Sequence, residues 1–293
     1  MKPKTIKLAG LALAAIVVPT ALIGLSQGTR VAADPTVPMA ETVMIKPGSF
    51  THMQPGEFLQ DSRPAAAPRV PVRIRRPLEI MKYQVRLDDY ARCVAAGACK
   101  RADARGGSEV PVTGVSYRDA LAYAKWYSEA TGEDWRLPTD EEWAFAAGSR
   151  FRGDIEPVEV DTANPARGWL SSYQREVDLA RKPNPEPKPA GSFGVNEKGV
   201  ADLAGNIWEW TSSCYVRVTL AADGKTVESA IENCGVRVVQ GFHRTYMSNF
   251  IRDGKSGGCA VGLPPDNLGF RLVREPSLGT RVARWFRGNS AAS

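Results

Sequence analysis

The chain has 293 residues, 43 % hydrophobic and 24 % charged, a globular balance that excludes collagen, coiled coil and general disorder. Its 27 glycines and 21 prolines are scattered rather than periodic, which points to short elements and many loops. The net charge of +6 is no sign of a nucleic-acid partner: Lys2, Lys4, Lys7 and Arg30 sit in an acid-free leader, and the rest carries only +2.

In chain order, residues 1–33 read as an export signal. Three lysines precede a charge-free run from Leu8 to Leu25, and Val31-Ala32-Ala33 supplies small residues for cleavage. The run borders on spanning length, so a retained N-terminal anchor is the alternative. Either reading places the remainder in the periplasm or outside the cell, with membrane contact only if the segment is kept. Residues 34–40 form a Pro-containing linker. Thr42 to Phe50 reads as strand, Pro-Gly turn and strand, and 54–69 as an exposed loop rich in Pro, Ala and Arg. Val70–Ile74 alternates as a strand, and Leu78–Val85 continues extended.

Three helices have legible ends. Leu87–Ala96 is closed by Gly97, and a second runs from a Ser116/Asp119 capping pair to Gly132. A third opens on the T-x-x-E box of Thr139 and Glu142. Residues 148–195 show little periodicity, and Lys182 to Pro189 is extended or irregular. Trp135, Trp143, Trp208 and Trp210 are expected in the core. One domain spans 41–275, followed by a loose tail at 276–293.

Five cysteines fall in a compartment where disulfides persist. Cys214 and Cys234 flank a hairpin turning at Asp223-Gly224. Pairing Cys93 with Cys99 and Cys214 with Cys234 is the most economical choice, although spacing does not fix connectivity. Cys259 is left over.

The segments VPVTGVSYRDALAYAKWYSEATGEDWRLPTDEEWAFAAGS, GVADLAGNIWEW and NLGFRLV occur in that order. The succession resembles the formylglycine-generating enzyme family, or sulfatase-modifying factors, from about Glu41 to Glu275. The resemblance implies an α+β, C-type-lectin-like fold with many ordered loops. It also implies a calcium site at Asp202, Gly205, Ile207 and Glu209, since hard cations take clustered carboxylate and carbonyl oxygens. A hydrogen-bonded structural loop is the other reading of these residues.

Family oxidases use two cysteines after a Gly-Gly-Ser strand to hold Cu(I), bind the client's cysteine and activate O2. The matching stretch here, Val239 to Phe250, contains no cysteine, and the thiol positions fall near Thr245 and Phe250. Soft thiolates are what suits Cu(I), so copper and formylglycine-generating oxidase activity are not expected. Only His52 and His243 exist, which excludes a three-histidine metal site. His52 is expected on a surface or loop. The pocket candidates are His243, as base, donor or ligand, with Arg244, Tyr246, Arg252 and Cys259. Arg244 and Arg252 could pair a client carboxylate. No nucleophile elbow, phosphate loop or H-E-x-x-H is present.

The resulting expectation is an exported accessory protein that binds, and can modify or mature, a client protein or peptide. The cysteine-lacking pocket, export signal and Cys214/Cys234 pair resemble those exported family members that accompany copper nitrite reductase or siderophore maturation, and the nitrite-reductase type, linked to denitrification, is the expectation. Two alternatives remain open: an oxidase with rearranged ligands such as Cys259 and His243, and a calcium-dependent, lectin-like ligand-binding module.

Overall fold

The computed structural model describes residues 33–104, 106–153, 186–252 and 267–276. Its helices begin where side chains replace the acceptors that a helix start lacks. α1 (Leu87–Ala95) carries Asp88 and Asp89 in its first turn, at the positive end of the helix dipole. α2 (Tyr117–Thr131) and α3 (Asp140–Ala147) open on reciprocal caps. The Ser116 hydroxyl accepts from the Asp119 N–H at 3.2 Å, and the Asp119 carboxylate accepts from the Ser116 N–H at 2.9 Å. Thr139 and Glu142 repeat the exchange at 3.1 and 2.8 Å. Gly132 ends α2 at φ 71°, a left-handed turn that a Cβ would strain.

The strands run in order as β1 (Thr42–Ile45), β2 (Gly48–Met53), β3 (Glu57–Gln60), β4 (Arg63–Ala65), β5 (Arg69–Ile74) and β6 (Leu78–Met81). They continue as β7 (Asp134–Arg136), β8 (Trp208–Leu220), β9 (Val227–Gln240), β10 (Thr245–Ser248), β11 (Leu268–Gly269) and β12 (Val273–Glu275). One sheet has the order β1-β6-β12-β7, a larger one β10-β9-β8-β3-β4 with β11 on β8, and among the described residues β2 pairs only with β5. Among the described residues, short mixed strands with three α-helices make the α+β, lectin-like architecture expected from the motifs.

Two local expectations change. β1 and β2 do not pair with each other across Pro47-Gly48, because β1 joins β6 and β2 joins β5, each antiparallel. Residues 54–69, expected as loop, contain the β3–β4 hairpin, turning at Asp61 and Ser62 with φ 49° and 61°. Pro64 hides the second strand from sequence reading. It is tolerated because β4 lies at the sheet edge, where the missing N–H breaks no ladder.

All four expected core tryptophans are at most 5 % exposed. Trp135, Trp208 and Trp210 pack with Tyr90, Tyr123, Tyr127 and Phe270 in one cluster; Trp143 packs with Phe145, Ile80 and Leu203 in a second. Both economical disulfides form, Cys93–Cys99 and Cys214–Cys234. Residues 34–40 do not run free as a linker. Asp34 N–H donates to Ala130 O at 2.7 Å, and the Tyr127 hydroxyl accepts from Ala40 N–H at 2.7 Å. No described helix is long and apolar enough to cross a membrane.

Candidate functional site

The stretch matched to the family's catalytic strand leaves β9 at Gly241. A Cβ there would stand 2.5 Å from the Trp208 ring, so only glycine lets the chain pass. His243 follows, 4 % exposed, with Nδ1 2.9 Å from Arg244 O and its ring edge-on to Trp208. Arg244 turns inward. Its guanidinium donates to Asp140 Oδ2 at 2.9 Å, to Met53 O at 2.7 Å and to Gln54 O at 3.0 Å.

Asp140, the first residue of α3, is the hub of this network. Besides Arg244 it meets His52 Nε2 at 2.9 Å and accepts from Gln240 Nε2, while its own N–H donates to Ser213 Oγ at 2.9 Å. Burial pushes the Asp140 carboxyl upward. The Arg244 charge and the His52 and Gln240 contacts outweigh it and hold the carboxyl below its ordinary value. The network ties β2, α3 and β9 together.

Several sequence expectations are corrected by this geometry. His52 is not on a surface or loop: it lies in β2 at 1 % exposure, its ring against Phe50 and Phe151. Arg244 cannot pair a client carboxylate, because its side chain is fully buried and already bound to Asp140. Arg252 is also engaged internally, donating to Asp119 Oδ2 at 2.9 Å and Asp103 Oδ2 at 3.2 Å. Its contact with Asp119 joins it to the α2 cap, and that hydrogen bond, against the opposing effect of burial, raises the guanidinium pKa further. The Tyr246 hydroxyl accepts from Gly56 N–H at 2.6 Å, with its ring edge-on to Tyr215. Cys259 lies outside the described residues. Of the two thiol-matched positions, Thr245 is buried in β10 and Phe250 is 66 % exposed.

The Asp202–Glu209 loop is held by protein donors. Both Asp202 oxygens accept backbone N–H groups, from Gly191 at 2.5 Å and Phe193 at 2.8 Å. Glu209 takes a bidentate pair from Arg271 at 2.6 and 2.8 Å, together with Trp143 Nε1 at 2.9 Å and Gln84 Nε2 at 2.8 Å. The carbonyls of Asp202 and Gly205 also face Gln84 Nε2, at 3.3 and 3.5 Å. The Gln84 amide therefore stands among the Asp202 and Gly205 carbonyls and the Glu209 carboxylate. The Asp202 carboxylate points elsewhere, and Arg271 neutralises Glu209. As folded, this set does not fit a calcium ion, whose ligands need uncommitted oxygens and net negative charge. The left-handed backbone of Asp202, Ala204 and Asn206, at φ 58°, 55° and 63°, is retained by these bonds. Asn206 adds two more, to Lys188 N–H and O at 2.8 Å each.

Asp140, Gln240, Gln84 and Arg271 were missed as site residues. Asp140 looks like an ordinary helix-start acid, and Arg271 stands 62 positions from Glu209, so no local pattern links them. A separate cleft of about 380 Å3 lies between α1, α2 and residues 37–41, lined by Tyr83, Asp89 and Trp126; none of the expected site residues lines it.

Residues 27–276 match the sulfatase-modifying factor enzyme 1-like domain. The inactive C-alpha-formylglycine-generating enzyme 2 of Bos taurus is 32 % identical over 163 residues, which cover 46 % of this chain and 52 % of that protein. The formylglycine-generating enzyme of Streptomyces coelicolor is 30 % identical over 191 residues, covering 61 % and 57 %. The chain thus spans little more than half the length of these relatives. PvdO from Pseudomonas aeruginosa, a solved structure, shares the fold at TM-score 0.50 and 22 % identity, covering 81 % of this chain and 95 % of that one.

Proposed function

This chain belongs to the sulfatase-modifying factor family, and we propose that within it the protein binds an exported client without performing thiol–copper oxidation. The observation that carries this reading is the allocation of sulfur. Four of five cysteines are consumed in disulfides, leaving Cys259, whereas a bis-thiolate Cu(I) site needs two thiolates. At the thiol-matched positions stand a buried Thr245 and an exposed Phe250, an arrangement that offers apolar contact rather than redox chemistry. One relative is itself named inactive. Export accords with the leader and with two disulfides.

The client surface in this reading is the exposed end of β10, around Phe250. The buried Asp140 network sets its position from beneath: Arg244 immediately precedes β10 and is anchored to α3 and to the end of β2. Arg244 and Asp140 are thus positioning residues, not groups that meet the client.

The test places a photo-crosslinking side chain at Phe250 and exposes the full protein to defined exported candidate clients. A crosslinked client, with no conversion of a cysteine-containing sulfatase peptide and no tight Cu(I) binding, is expected. Peptide oxidation or Cu(I) binding that disappears in Cys259→Ser would overturn the proposal in favour of rearranged ligands at Cys259 and His243.

A further inference from the structure

Among the described residues, β9 carries an uncovered sheet edge. Its inner side pairs with β8 along most of its length, but on the outer side β10 covers only Val236–Val239. Asn249 N–H closes the ladder at Gly235 O, at 2.9 Å. From Val227 to Cys234 every residue is exposed, and among the described residues no strand lies against that edge. Alternate N–H and C=O groups there face outward, with no partner strand among the described residues. The Cys214–Cys234 bridge and the Asp223-Gly224 turn fix the hairpin at both ends, so the edge is formed before anything binds it.

The side chains restrict what could add to this edge. Val227 and Ile231 are 55 % and 66 % exposed, giving apolar contact. Glu228 and Glu232 are the charged residues of the segment. Arg217, on the neighbouring strand, is bound to Glu57 at 2.6 Å and does not neutralise them. Antiparallel pairing of two copies about Ala230 would set Glu228 against Glu232, a like-charge opposition that disfavours self-association. A strand with lysine or arginine at alternate positions and apolar residues between them meets both constraints.

We propose that the Val227–Cys234 edge takes up an extended basic segment of the client as an added strand of the sheet. The proposal rests on the client-binding reading for the source of that strand, but not on contact at Phe250.

The probe is a peptide of about ten residues alternating lysine and valine, titrated against the full protein by fluorescence anisotropy at moderate salt. Slowed amide exchange at 227–234 on binding is expected. N-methylation of alternate peptide nitrogens, which removes backbone donors and keeps the charge, should weaken binding about tenfold or more. E228K/E232K should lose the lysine peptide and gain one alternating glutamate and valine; both positions are exposed, and circular dichroism verifies the fold. Equal binding of the N-methylated peptide, an unchanged preference in E228K/E232K, or protection elsewhere would each overturn the proposal. Crosslinking of a client at Phe250 with failure at the edge sinks this inference and leaves client binding intact; edge binding without a crosslink at Phe250 sinks the contact at Phe250 and leaves this inference intact.

Discussion

Asp140 accepts from Arg244 and Gln240 and lies against His52, all of them buried. Asp140→Asn removes the carboxylate charge from its buried pairing with Arg244, and breaking such a pair costs about 3–5 kcal/mol. A urea midpoint well below that of the wild type is the expected result. The same carboxyl predicts a pH dependence. Its folded pKa lies below the ordinary 3.8, so the folded state binds fewer protons than the unfolded state. The associated stability is complete above the unfolded value and is lost as pH falls through the folded one. Wild-type stability should therefore drop between about pH 5 and pH 3 more steeply than that of Asp140→Asn, as read by chemical denaturation at each pH. At Glu209 the Arg271 and Gln84 donors stand in for a cation. Chelator or added calcium should leave the melting temperature unchanged within about 1 °C, because a ligand stabilises only the state that binds it.

At the scale of elements, the two capping boxes do more than start helices. The Ser116 hydroxyl donates to Asp119 Oδ2 at 2.6 Å, and the same oxygen receives Arg252, so one cap also anchors the chain that follows β10. Ser116→Ala and Thr139→Ala should each lower stability by about 1 kcal/mol, measured by denaturant unfolding. Ser116→Ala should in addition speed amide exchange near Ile251, which Thr139→Ala should not. These caps were legible as S-x-x-D and T-x-x-E because every participant lies within three residues. The β3–β4 hairpin was not. A proline inside a strand argues against that strand unless its edge position is known, and edge position is a property of the sheet.

For the molecule as a whole, the allocation of sulfur decides which chemistry remains. Unfolded without reductant, the protein should titrate one thiol per chain, and Cys259→Ser should titrate none. Three titrating thiols would mean that one bridge is absent in the isolated protein and would reopen the two-thiolate question. The family frame was legible because its motifs are contiguous runs in a fixed order, and the residues of these runs form helix caps, core tryptophans and the loop around Asp202. The roles of individual charges were not. Arg244 and Arg252 look like free cations in the chain, and Asp202 and Glu209 look like free anions.

The sequence by itself determined the helix limits, the four buried tryptophans and the loss of cysteine between Val239 and Phe250, because each depends on residue type and near neighbours. Tertiary structure alone decided that Arg244 serves Asp140, that Arg271 serves Glu209, and that His52 is buried against Asp140. Those pairings join residues 62 to 104 positions apart. A buried charge is stabilised only by the partner that folding brings to it, and no local pattern records which partner that is.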